Sequence, residues 1–142
     1  MKTQNYSNHS RLVAGWHGLT FFAILSFWIG SFVNLANAGG PALYSASLLS
    51  VAGFIFVCFF VFVRMFALKA QDRAIRAEEN LRHFALTGKL LPASLGIGQI
   101  VALRFAADEE FAALVAKAAA ENLTGKQIKQ SIHNWKADTY RV

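Results

Sequence analysis

Charge is missing from a long stretch of this 142-residue chain: no Lys, Arg, Asp or Glu occurs between Arg11 and Arg64. Residues 12–63 are instead a near-continuous run of Leu, Ile, Val, Phe, Ala and Gly, softened only at residues 34–41. An apolar bilayer core about 30 Å thick needs roughly 20 such residues per helix. The run therefore predicts two membrane spans joined by a tight polar turn. Cysteine is nearly absent as well. Cys58 is the sole one, which excludes a disulfide within the chain and a Cys-based metal cluster, and its place in the second span suits a structural thiol. Proline occurs only at Pro41 and Pro92, outside both spans. The lack of ionisable groups within the spans argues against an ion or proton pathway carried by this chain alone, because such pathways are marked by charged side chains.

What is present gives the spans their limits. The first is expected over residues 16–35 and the second over residues 42–63. Their backbone groups must be satisfied internally, so both are helices. Gly39, Gly40 and Pro41 fit the turn, with Gly free to take positive φ and Pro suited to the start of the next helix. A secretory signal is a rival reading of the N-terminus, with Ala36-Asn37-Ala38 as its cleavage site, but bulky Trp28 and Phe32 stand too close to that site. Lys2 and Arg11 precede the first span, and Arg64, Lys69, Arg73, Arg76 and Arg82 follow the second, while the loop between the spans has no basic residue. Basic residues favour the cytoplasmic side. Both termini are thus expected in the cytoplasm, with Arg11, Arg64, Lys69, Arg73 and Arg76 as the membrane-flanking cations and Trp16, Tyr44 and Phe66 near the interfaces.

Residues 63–84 contain no Gly or Pro and are nearly all good helix formers. The second span should run on as a cytoplasmic helix over residues 64–88, ending near Thr87 with Gly88 as its C-cap. Asp72/Arg76 and Glu78/Arg82 are spaced as helical ion pairs. Small residues recur along one side, at Ala42, Ala46 and Ser50 and then at Ala67, Ala70, Ala74 and Ala77. Small residues let helix backbones approach closely in lipid, and these seven are the candidate helix-association positions. The cytoplasmic part of the seam, which continues to Leu81 and Phe84, is also expected to pack against the chain's own tail.

Residues 89–142 predict a small helical domain. Helices are expected over residues 95–105, from an Asp108 N-cap onward with Phe111, Leu114, Val115, Ala118 and Leu123 as the apolar face, and from Thr124 with Gln127 in a capping-box spacing. Ile128, Ile132 and Trp135 would line the last helix, with Trp135 the largest core residue. The fold class is all-α: a two-helix transmembrane hairpin, residues 16–63, after a cytoplasmic segment of residues 1–15, its second helix continuing into the small domain. Net charge is +6 overall, of which residues 64–142 carry twelve Lys/Arg against eight Asp/Glu.

Residues 67–79 (ALKAQDRAIRAEE), 102–110 (ALRFAADEE) and Glu121-Asn122-Leu123-Thr124, followed by Lys126, Ile128, Lys129 and Ile132-His133-Asn134-Trp135, resemble the signature of an uncharacterised family of small bacterial membrane proteins. The resemblance implies two spans and a cytoplasmic domain of unknown function. It brings no established activity and no catalytic residues.

Chemistry is sparse. His9, His17, His83 and His133 lie on separate segments without metal-ligand spacing. Asp108, Glu109 and Glu110 suit a helix start, where the dipole favours acids. Gly96-Ile97-Gly98 lacks the context of a phosphate loop, and no Ser or Cys sits in a nucleophile motif. No cofactor, metal or enzymatic activity is expected. The expected role is a non-enzymatic integral protein of the bacterial inner membrane, partnered by the lipid bilayer and by other membrane chains, same or different. It would act as a homo-oligomer or as an accessory or scaffold subunit. The alternative is a membrane-tethered helix-turn-helix regulator, with residues 109–122 and 124–135 as the helix pair and Lys126, Lys129, Lys136 and Arg141 on phosphates. The modest charge of the tail and its acidic first helix make nucleic acid the poorer partner.

Overall fold

A computed structural model describes residues 4–8 and 12–138. Lys2, His9, Arg11 and Arg141 lie outside the described residues. Among those described, the regular elements are all helices: a π-helical segment at Gly15–Thr20, then α1 (Phe21–Asn37), α2 (Ala42–Thr87), α3 (Ile97–Leu103), α4 (Asp108–Ala120) and α5 (Gly125–Gln130). Two helices are long and apolar enough to cross a membrane, Gly15–Asn37 and Ala42–Thr87. Contacts divide the chain into two units, one of residues 12–67 and one of residues 68–138 with residues 4–8.

The hairpin unit opens wider than an ordinary α-helix. Gly15 and Gly18 weaken the usual i→i+4 ladder, and the Thr20 hydroxyl donates to Gly15 O at 2.9 Å, across the five-residue interval of a π turn. The turn between the helices is built as its sequence implies. Gly40 has φ +52, the left-handed region that Gly enters without steric cost, and Pro41 stands directly before α2. The two helices meet through small groups. Ala46 is 1% exposed and Ser50 8%, and the Ser50 hydroxyl donates to Ser31 O at 3.2 Å. Ser31 in turn donates to Trp28 O at 2.6 Å. Gly53 is the closest approach: a Cβ there would lie 2.4 Å from the Trp28 ring and 3.2 Å from its Cα. Aromatic rings close the rest of the seam, with Phe27 against Phe56 and Trp16 stacked on Phe60 at 4.6 Å between centroids.

α2 is one unbroken helix of 46 residues, about 70 Å at about 1.5 Å per residue. It ends at Thr87, and Gly88 takes φ +72 in the left-handed C-cap that its sequence predicts. The unit beyond Leu68 has its own core: Ile75 from α2, Leu95, Ile100, Ala102, Leu103 and Phe105, then Phe111, Leu114, Val115 and Ala118 from α4, and Ile128 and Ile132. α3 and α5 cross closely, so that a Cβ on Gly125 would lie 2.8 Å from Gly98 O.

Several expectations are corrected here. α3 is shorter than residues 95–105, because Leu95 closes a turn on Pro92 O and Gly96 takes the N-cap. α5 begins at the predicted Thr124/Gln127 capping box but stops at Gln130. Trp135 is therefore not helical: it forms an isolated antiparallel bridge with Ala106, with Lys136 N–H donating to Phe105 O at 2.8 Å and Ala107 N–H to Asn134 O at 3.0 Å. It packs half-buried on Phe105, 5.1 Å between ring centroids. The largest fully buried side chains are Phe105 and Phe111.

Two outcomes follow from this packing. Gly53→Ala should lower the resistance of the hairpin to denaturing detergent by about 1–3 kcal/mol, the usual penalty of overpacking, whereas Gly30→Ala, with nothing within 4 Å of its Cβ, should leave it unchanged; detergent titration followed by Trp fluorescence measures both. In the second unit, Phe111→Ala should cost about 3–5 kcal/mol, the range for a buried aromatic, and remove amide-exchange protection from α3 to α5. Trp135→Ala should cost clearly less, and protection of α3 and α4 should survive it.

Candidate functional site

The seven small residues singled out as association positions are divided by the structure. Ala46 and Ser50 are covered by the first helix of the hairpin, and Ala42 is exposed at its turn. Ala67 is half-buried, whereas Ala70, Ala74 and Ala77 lie exposed along α2, together with Leu81 at 68% and Phe84 at 51%. The expectation that this seam packs on the tail is overturned. The tail docks a different face of α2: Ile75, Glu79 and His83 are buried there, with Asn80 and Arg82 partly covered.

The physical reason is polar. Arg82 is almost wholly covered, and its guanidinium binds the Glu79 carboxylate at 3.0 Å, Asp108 Oδ1 at 2.6 Å through Nε, and Ala106 O at 2.7 Å. It also lies 4.1 Å over the Phe111 ring. A planar fork of five donors suits this many acceptors, which Lys could not match. The ion pairs expected at i, i+4 do not form. Arg82 turns to Glu79 and Asp108 instead, and neither Asp72 nor Arg76 joins an ion pair among the described residues.

Asp108 is the first residue of α4 rather than its cap; Ala107 holds the cap position without a side-chain bond. The Arg82 hydrogen bond, and then its charge, hold the Asp108 carboxyl below the ordinary aspartate value of 3.8, with Lys136 adding a smaller pull and burial opposing it. Glu110 has a role that sequence spacing did not reveal. Its two carboxylate oxygens accept the N–H groups of His133 and Asn134 at 3.1 and 2.9 Å, tying the segment after α5 to α4. His83 is a satisfied core histidine, its Nδ1 2.7 Å from Lys89 O, and Asn80 accepts Leu91 N–H at 2.9 Å. Gln99 joins Gly96 N–H to Leu123 O.

The basic flank also has a definite arrangement. Lys69, Arg73 and Arg76 are exposed, at helical spacings of four and three on α2, and with Asp72 and Ile97 they line a cleft of about 340 Å³. Arg64 lies in the other unit, half-buried. The helix pair imagined for DNA does not materialise as such. Its second member is the six-residue α5, too short to present a reading face along a groove; Ile128 is buried and Lys129 lies over the Phe105 ring. Lys126 and Lys136 are exposed. Among the described residues no three His, Cys, Asp or Glu side chains converge in a metal-binding group.

The fold thus defines a small all-helical protein with two long apolar helices and a compact helical unit, whose exposed features include a helix face and a basic cleft. The chain belongs to a family of unknown function (DUF6526), whose model matches residues 1–142. No curated protein matches the chain, and no solved structure does so.

Arg82→Leu should unfold the second unit, since it strands the buried Glu79 carboxylate, a change that typically costs about 3–5 kcal/mol. Asp108→Asn should cost under about 1 kcal/mol, because Asp108 is 58% exposed and solvent screens the pair. Since the folded state lowers the pKa of Asp108, its contribution is complete above pH 3.8 and is lost as pH falls through the lower folded value. An acid titration by circular dichroism should show the wild type losing stability relative to Asp108→Asn only in that acid range.

Proposed function

We propose that this is a non-enzymatic integral protein of the bacterial inner membrane that works by association, as a homo-oligomer or as an accessory subunit of a larger membrane assembly. The observation that carries the reading is the exposed face of α2 at Ala70, Ala74, Ala77, Leu81 and Phe84. These positions alternate by three and four, the spacing of a helix-helix seam, and the protein's own tail leaves them open. The uncharged run of residues 12–63 supports membrane residence. The orientation with both ends in the cytoplasm rests on the Lys/Arg distribution. That the two ends share one side is supported by contact between the terminal regions, where Asp138 N–H donates to Gln4 Oε1 at 2.8 Å; two crossings would return the chain to the side where it began.

A second copy of this chain suits the face. A bilayer holds two copies the same way up, so their α2 helices would run parallel. In the heptad set by Ala70, Ala77 and Phe84, Arg73 of one copy would then stand opposite Glu78 of the other, a flanking pair of opposite charge.

Single cysteines introduced as Ala70→Cys or Ala77→Cys in a Cys58→Ala background should crosslink between chains in native membranes, while Ala46→Cys, enclosed in its own hairpin, should not. The Ala70→Cys thiol should also resist a membrane-impermeant reagent in intact cells. Absence of crosslinking at both 70 and 77, or equal crosslinking at 46, would remove the basis for association through this face, and labelling from outside would reverse the orientation.

A further inference from the structure

We infer that a cavity beside Arg104 binds a small dipolar molecule of the amino-acid class, one that carries both an amine and a carboxylate. The inference goes beyond the association reading above and stands apart from it, because every group it uses belongs to the second unit. The cavity measures about 430 Å³, within the usual range for small-molecule sites. Ile75, Glu78 and Glu79 border it from α2, Arg104 from the end of α3, and Lys136 from the segment after α5.

Two covered charges on these walls are only partly matched. The Arg104 side chain is 11% exposed, close to the 12% of Arg82, yet the two guanidiniums are served differently. Arg82 reaches two carboxylates, a carbonyl and a ring. Arg104 has Asp138 on Nη1 at 3.0 Å and lies over the Phe105 ring at 4.8 Å. Its Nε is enclosed with no hydrogen-bond partner. Its Nη2 donates to no group among the described residues, although a guanidinium carries five N–H donors. Glu79 shows the complementary shortfall. Its side chain is 10% exposed; Oε2 accepts Arg82 at 3.0 Å, and Oε1 accepts no hydrogen bond among the described residues. A covered charge short of partners is costly. Two of them bordering one cavity point to a partner that enters it.

The signs select the class of that partner. Glu78 and Glu79 are the acids of the cavity not bound to Arg104, and Arg104 and Lys136 are its bases. Glu78 and Lys136 are exposed and join no ion pair among the described residues. A plain anion would meet the two glutamates unmatched, and a plain amine would meet the two bases unmatched. A molecule with one group of each sign gains charge-assisted hydrogen bonds from both sets. Ile75 and Ala74 offer apolar contact to its hydrocarbon part.

The test uses the full chain in mild detergent and isothermal titration calorimetry. The probes are L-leucine and 6-aminohexanoate, with hexanoate and hexylamine as single-charge controls. At least one of the two dipolar probes should bind saturably, about tenfold more tightly than either control, the scale of one hydrogen bond to a charged group. Glu78→Gln should reduce its advantage over hexanoate, and Lys136→Gln its advantage over hexylamine. Both variants change exposed side chains, so helix content and oligomeric mass should stay as in the wild type. Failure of both dipolar probes to saturate overturns the site. Equal binding of a single-charge control overturns the ligand class, and wild-type affinity in both variants places the binding elsewhere and overturns the assignment. Each of these results would leave the reading of association through α2 intact, since that reading is tested by crosslinking at 70 and 77.

Discussion

The second unit of this protein is organised around one guanidinium. Arg82 sits on α2, yet its partners are the Glu79 carboxylate one turn back, the backbone at Ala106, the Asp108 carboxylate at the start of α4 and the face of Phe111. A buried cation is tolerable only when its donors are matched, and here that matching requires the α3–α4 connection to come to α2. The docking face of α2 is consequently half polar, with Glu79, Asn80, Arg82 and His83 beside Ile75. The apolar Ala/Leu/Phe face of the same helix is left outside. An arginine thus determines which side of the long helix is covered and which is left exposed.

The hairpin solves a different problem with different residues. In the membrane setting we propose, lipid gives two apolar helices no hydrophobic reason to adhere, so contact depends on how closely the backbones approach. Ala46, Ser50 and Gly53 supply that approach on α2, with Trp28 seated on Gly53 and Ser31 accepting the Ser50 hydroxyl. These small residues are covered within the chain, whereas Ala70, Ala74 and Ala77 lie exposed on a stretch rich in charged neighbours. The same ladder of small residues therefore has two meanings along one helix.

A hairpin of two helices long and apolar enough to cross a membrane, a helix with an exposed seam and a basic cleft form a coherent set. In our reading each is a surface suited to being met, by its own paired helix or by another chain. Membership of a family without assigned function is compatible with a protein whose work lies in what it holds together, which is how we read it.

Much of the fold was legible before any coordinates. The charge-free run, the Gly40 turn, the length of α2, the Gly88 stop, the Thr124/Gln127 cap and the Phe111, Leu114, Val115, Ala118 stripe are all local features. Composition, periodicity and capping act over a few residues, so they can be read along the chain. What sequence could not tell was which of several equivalent faces would be used. Ile132 and Trp135 continue a helical spacing, but Glu110 captures the amides of His133 and Asn134, and the Ala106 backbone takes Trp135 into a bridge. Arg82 has Glu78 at the ideal spacing for an exposed pair, yet the tertiary fold offers Asp108, 26 residues away in sequence, together with Ala106 O and the Phe111 ring. The sequence by itself determined the helices and the division between an uncharged and a charged half, because those depend on each residue and its near neighbours. The tertiary structure alone decided which face of α2 is covered and where Lys69, Arg73 and Arg76 acquire a wall, because those depend on groups brought together from distant parts of the chain.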